Sequence, residues 1–160
     1  MTAEPAATTA TPLRPGFADP TLNAQQVFRK LLDAMARPGT VSHLACPLEP
    51  PQPLAPATTA VALTLFDTDT RIWLDPQAQC AEVEAFLRFH CGCPLVADPA
   101  QADFAVCLSW PGDFGAFAWG EPEYPDRSAT LVVQLERLEA APGLRLRGPG
   151  IRETAELSFA

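Results

Sequence analysis

Lysine is almost absent from this 160-residue chain: Lys30 stands alone beside ten arginines. Pyridoxal phosphate needs a lysine for its Schiff base. Lys30 falls in the polar stripe of a predicted helix, so that cofactor is rejected on the residues themselves. No apolar run approaches the ~20 residues that a membrane-spanning helix requires, and a soluble protein is expected. Basic clusters are missing beyond Arg145 and Arg147, and the net charge is −8 with a pI near 4.6. Nucleic-acid binders carry a basic patch that releases counterions from phosphates. The balance here argues against DNA, RNA and anionic membranes, and fits a protein partner of opposite sign. Neither G-x-x-x-x-G-K-[ST] nor G-x-G-x-x-G occurs, so the common phosphate loops are excluded. The first residues lack the charged start and apolar stretch of a secretory signal. The five cysteines, an odd number, do not resemble a disulfide scaffold. Reduced thiols in the cytoplasm are the expectation.

What is present suits one domain with a sizeable core: 48% of residues are apolar and 19% charged. Residues 1–15 are Ala, Thr and Pro with no periodicity and read as a disordered tail. Asn23 to Arg37 is the clearest helix. Val27, Phe28, Leu31, Leu32, Ala34 and Met35 recur at helical spacing, with Arg29, Lys30 and Asp33 toward the other face. Arg37-Pro38-Gly39 stops it. Val41 to Cys46 reads as a strand, and the proline-rich run Pro47 to Pro56 as an extended connection. Further helices are expected over Ala57–Phe66 and Ala78–His90. Strands are expected at Arg71–Leu74, Pro94–Val96, Phe104–Leu108, Ala129–Leu135 and Leu144–Arg147. The run FAVCL suits a strand buried on both faces. Pro111–Trp119 is a possible short helix, and Gly120–Arg127 a polar loop. This alternation predicts an α/β fold, a three-layer α/β/α sandwich with a mixed central sheet over residues 16–160.

Candidate chemistry is sparse. His43 stands three before Cys46, and His90 three before Cys93. Two such pairs have zinc-ligand composition, but strand positions three apart face opposite sides, and ordinary core residues explain them better. Cys91 follows His90 directly, and helix neighbours point apart, so only His43 could serve it as a base. A stand-alone enzyme using a Cys–His pair is therefore the rival reading. Asp67, Asp69 and Asp75 suit turns as well as a metal. Gly148-Pro149-Gly150 reads as a turn, because Pro149 offers an anion no N–H. The segment Gly120 to Ser128 (GEPEYPDRS) mixes two Glu, an Asp, an Arg and a hydroxyl before the best strand. It reads equally as a functional loop and as a connector.

Several blocks together resemble the PhnH family, the H subunit of bacterial carbon–phosphorus lyase. They are Pro15-Gly16-Phe17 with Asp19-Pro20, AQQVFRKLLDAMARPGT (24–40), LTLFDTDT (63–70), LRFHCGCPLV (87–96), ADFAV (102–106), GEPEYPDRSATLVVQL (120–135) and LRGPGI (146–151). They occur in the family's order. The resemblance implies a fold like the large domain of pyridoxal-phosphate transferases, without the cofactor. It implies a homodimer that joins the G, I and J subunits in a core complex. With them it supports formation of ribose 1-methylphosphonate 5-triphosphate from ATP and methylphosphonate. Glycosyl transfer belongs to the I subunit and radical C–P cleavage to the J subunit, so no catalytic residue, cofactor or metal is carried over. Two departures stand out. Family members continue past Gly-Pro-Gly-Ile for several dozen residues, so a C-terminal segment is expected to be lacking here. Cys91 stands where a small hydroxyl residue is expected. Arg37, Glu123, Arg127 and Ser128 are the surface residues chosen as a ligand or partner site: arginine suits anionic groups, and the others lie on the informative segment.

Overall fold

The structure is a computed structural model and describes residues 13–160. Most of the expected N-terminal tail lies outside the described residues. Residues 13–15 are not loose: Arg14 reaches Glu82 at 3.2 Å and Glu49 at 3.6 Å, and its carbonyl accepts from His90 Nε2 at 2.9 Å.

Among the described residues three α-helices form where the sequence signals them. Helix α1 spans Pro20–Ala36; Asp19 caps it by accepting the Leu22 N–H at 2.9 Å, and Pro20 has no N–H to leave unpaired. Helix α2 spans Pro56–Leu65 and has no cap of its own. Gln134, distant in sequence, supplies one: its Oε1 accepts the Ala55 N–H at 2.7 Å and the Thr58 hydroxyl at 2.9 Å, while Nε2 donates to the Pro53 carbonyl at 3.1 Å. Helix α3 spans Ala81–His90, with Glu82 and Glu84 in its first turn and Arg88 and His90 in its last, as the macrodipole favours. Gly92 follows at φ +67°, a left-handed stop that suits glycine.

Four short strands make the central sheet: β1 (Ile72–Leu74), β2 (Leu95–Val96), β3 (Phe104–Cys107) and β6 (Thr130–Val133), in the order β2-β1-β3-β6. All pairs are parallel. The mixed sheet expected from sequence is thus corrected. The antiparallel strands close on one another as two separate hairpins, β4 (Trp119–Glu121) with β5 (Tyr124–Ser128), and β7 (Leu138–Leu146) with β8 (Ala155–Phe159). The Gly120–Arg127 loop is mostly hairpin, and the short strand expected at 144–147 is the end of a nine-residue one. Val41–Cys46 forms no strand among the described residues.

The sheet's two faces differ. Ile72, Leu74 and Val106 pack with Phe66, Val83, Phe86 and Leu87 beneath α2 and α3. On the other face Trp73, Ala105, Cys107, Leu131 and Val133 gather around Phe117 and Ala129, with no helical residue among them. Among the described residues the third, helical layer is therefore missing. Strand β3 is buried from Ala105 to Cys107, as its apolar run requires. The largest correction concerns α1. Only Val27 is buried, while Phe28, Leu32 and Met35, expected in the core, are 48%, 58% and 72% exposed. The stripe has helical spacing but divides: Val27, Leu31 and Ala34 are buried or half-buried, and Phe28, Leu32 and Met35 are left in solvent.

Because one amide caps α2 and ties it to the end of β6, Gln134→Ala is expected to lower stability by about 1–2 kcal/mol. Urea denaturation checks this; an unchanged midpoint would remove the tie.

Candidate functional site

The site begins with strand order. After β1 the chain passes through α3 to β2 on one side, whereas after β3 it runs to β6 on the other. The departing connections part, and a crevice opens outside the carboxyl ends of β1 and β3. Ligands of open α/β sheets bind at such switch points. The crevice here holds about 250 Å³ and is lined by residues that include Trp73, Asp75, Cys107, Ser109, Trp110 and Asp113.

Asp75 follows β1 directly and braces the mouth. Its N–H donates to the Val106 carbonyl at 2.8 Å. Its carboxylate accepts the Gln77 N–H at 2.9 Å and, at 3.4 Å, the Leu108 N–H. Asp113 accepts the Gly115 N–H at 2.8 Å through Oδ1. Trp110 stacks on Phe159 of β8 with centroids 4.7 Å apart, meets Phe114 edge-on at 5.6 Å, and stays 49% exposed. Trp73 meets Phe117 edge-on at 5.6 Å. Burial, then the nearby Asp75 charge, pushes the Cys107 thiol up to about 11, so it is neutral at physiological pH. Among the described residues no arginine, lysine or histidine lines this crevice.

A larger, open groove of about 580 Å³ separates α1 from the irregular segment 43–46. Its lining includes Arg29, Lys30, Asp33 and His43. Positive charge therefore gathers at α1 and negative charge at the strand ends.

The residues chosen from sequence lie on two elements, the end of α1 and the β4–β5 hairpin. Arg37 ends α1 and pairs with Asp33 one turn back. Glu123 sits at the turn of the β4–β5 hairpin; Arg127 lies 4.0 Å over the Tyr124 ring, a cation–π contact, and Ser128 pairs with Trp119. Among the described residues no hydrogen bond or ion pair links Arg37 to that hairpin, or Glu123 to Arg127. The Cys–His reading fares no better. The His90 ring is held by the Arg14 carbonyl and rests on Phe86 at 4.4 Å. The neighbouring Cys93 thiol and burial drive Cys91 far up, while the same neighbour lowers Cys93; the Cys91 thiol donates to the Ala62 carbonyl. Desolvation raises Cys46. Asp67 accepts the N–H groups of Asp69 and Thr70, both at 3.0 Å, as a turn residue does. Gly150, at φ +82°, lies against Ala36 and Pro38, so the Gly-Pro-Gly turn docks on the end of α1. Asp75, weighed from sequence as a turn or metal residue, accepts backbone N–H groups after β1. Ser109 and Trp110 were not singled out; their available signal was position, immediately after a predicted buried strand.

The family model for "Bacterial phosphonate metabolism protein (PhnH)" matches residues 15–160. The chain belongs to the PhnH family. A relative from Rhizobium meliloti (strain 1021), named alpha-D-ribose 1-methylphosphonate 5-triphosphate synthase subunit PhnH, is 46% identical over 139 residues. The match covers 85% of this chain and 69% of the relative. The PhnH blocks quoted from the sequence map onto α1, the β1 turn, the end of α3, β3, the β4–β5 hairpin with β6, and the end of β7.

Since no imidazole hydrogen-bonds a thiol among the described residues and all three thiols are raised, alkylation of Cys46, Cys91 and Cys107 by iodoacetamide is expected to keep accelerating past pH 9. A neutral-pH plateau at any of them would reveal an activated thiolate. The raised Cys107 value also has a stability sign. The neutral thiol favours the fold below about 9, and that contribution is lost as pH climbs through about 11.

Proposed function

We propose that this PhnH-family chain is an accessory subunit of a carbon–phosphorus lyase complex. In this reading it supports formation of ribose 1-methylphosphonate 5-triphosphate from ATP and an alkylphosphonate during phosphonate catabolism. It works in the cytoplasm as one α/β domain over residues 16–160, as a homodimer joined to the G, I and J subunits. Its fold is like the large domain of pyridoxal-phosphate transferases, used without that cofactor. The transferase and lyase chemistry resides in its partners.

The observation that carries this reading is the outward apolar stripe of α1, Phe28, Leu32 and Met35. Burying such side chains is worth about 1.5–3 kcal/mol each, and a contiguous exposed stripe on an amphipathic helix marks a contact surface. The β4–β5 hairpin adds Trp119, 74% exposed, and Tyr124 beneath Arg127, the residue types that dominate interface energetics. Arg37, Glu123, Arg127 and Ser128 belong to these two surfaces in the proposal, as partner contacts.

Phe28→Ser/Leu32→Ser/Met35→Ser is expected to keep the fold, since those side chains are exposed, and to lower co-purification with the G, I and J subunits at least tenfold. Normal assembly by a folded triple variant would overturn the assignment of this face. Separately, Glu123→Ala/Arg127→Ala is expected to reduce growth on methylphosphonate as sole phosphorus source; normal growth would remove the hairpin residues from the proposed surface.

A further inference from the structure

We propose that the crevice at the carboxyl ends of β1 and β3 binds a ribosyl group, the sugar of a nucleoside, through its vicinal hydroxyls. The inference deepens the reading above, on which its biological meaning rests, but it stands on a different part of the molecule.

Charge decides the ligand class. Among the described residues two carboxylates, Asp75 and Asp113, line the crevice and no cationic side chain does. A phosphate or phosphonate placed there would meet like charge without compensation. Sugar hydroxyls donate hydrogen bonds, and carboxylates accept them; in dinucleotide sites at sheet switch points an acidic residue holds ribose in this way. Among the described residues, Asp113 Oδ2 and the Ser109 hydroxyl have no protein hydrogen-bond partner, whereas Asp113 Oδ1 is held by the Gly115 N–H. One oxygen thus fixes the side chain while the other remains free to accept.

Walls and size agree. Trp110 is anchored on one side by Phe159, so its ring is positioned before any ligand arrives. Trp73 and the neutral Cys107 add apolar surface. A few convergent polar groups among aromatic walls are the composition of small-molecule sites. The volume of about 250 Å³ lies below the ~300–1,000 Å³ of sites that enclose whole drug-sized ligands. It suits one sugar ring, with an attached base left over the exposed part of Trp110. Strand β8, which carries Phe159, also lies against the turn after α1, where Ala155 approaches Gly39.

The test uses the full chain and follows tryptophan fluorescence and calorimetry. Adenosine is expected to bind saturably, and 2′,3′-dideoxyadenosine about tenfold more weakly, the loss of one or two hydrogen bonds. Inorganic phosphate should produce no saturable change. Asp113→Asn and Ser109→Ala are each expected to weaken adenosine several-fold, and Lys30→Ala, in the separate groove, to leave it unchanged. Asp113→Asn keeps the side chain's shape and its bond to Gly115, so folding is preserved; circular dichroism confirms it. Adenosine binding more tightly than free D-ribose would make the nucleoside the source of the sugar. Equal binding would make it the free sugar, and both sustain the ribosyl site. No saturation with adenosine at millimolar concentration, or equal binding of the dideoxy analogue, would overturn the proposal. Neither result bears on co-purification of the α1 variant, so the two readings fail independently.

Discussion

The parallel pairing of β1 with β3 is the constraint on which the remaining structure depends. Only three residues of β1 take part, Ile72, Trp73 and Leu74, opposite Phe104, Ala105 and Val106. So short a ladder needs help at its ends, and acidic side chains provide it at both. At the amino end Asp103 accepts the Arg71 N–H at 2.7 Å and grips the guanidinium at 3.0 and 2.7 Å. That hydrogen bonding holds the Asp103 carboxyl below the usual carboxylate range. At the carboxyl end Asp75 spans from the β1 exit to the Leu108 N–H. The first pair is exposed, so its electrostatic worth is modest; its importance is register. A slip of one residue would send Ile72 and Leu74 to the thinly covered face and Trp73 into the helical side.

Register also places the crevice. With β1 and β3 in step, Asp75 and Ser109-Trp110 emerge side by side, and the opposite turns taken by the two connections keep the space between them open. The same alternation puts Cys107 under the crevice and Val106 in the main core. Chemistry and packing therefore come from adjacent residues of one strand.

Helix α1 shows the reverse relation. Its periodicity is plain in the sequence, and its boundaries agree within three residues. Periodicity reports which residues share a face; it does not say where that face looks. Phe28, Leu32 and Met35 read as core because most amphipathic helices bury their apolar stripe in their own domain. Here Val27, with the half-buried Leu31 and Ala34, faces the domain, and Phe28, Leu32 and Met35 are left for another surface. The resemblance blocks, by contrast, were legible as an ordered set. The β4–β5 hairpin was not, because Pro122 and Pro125 resemble loop residues, and the Glu121-to-Tyr124 register tolerates them in an isolated, exposed strand pair. Ala155–Phe159 alternates apolar and polar residues, a signal of β8 that was available and not used.

Local chemistry sufficed for the elements themselves: Asp19 and Pro20 starting α1, Gly92 after α3 and the apolar run of β3. These follow from propensity and charge, which act over a few residues. Tertiary structure alone decided that all four central strands run parallel, that Gln134 caps a helix start 76 and 79 positions earlier, that Phe28, Leu32 and Met35 of α1 stay exposed, and that aromatic and acidic side chains meet at a switch point. Each depends on the path the chain takes between elements, and contacts between distant residues are set by global packing and loop closure rather than by any short stretch of sequence.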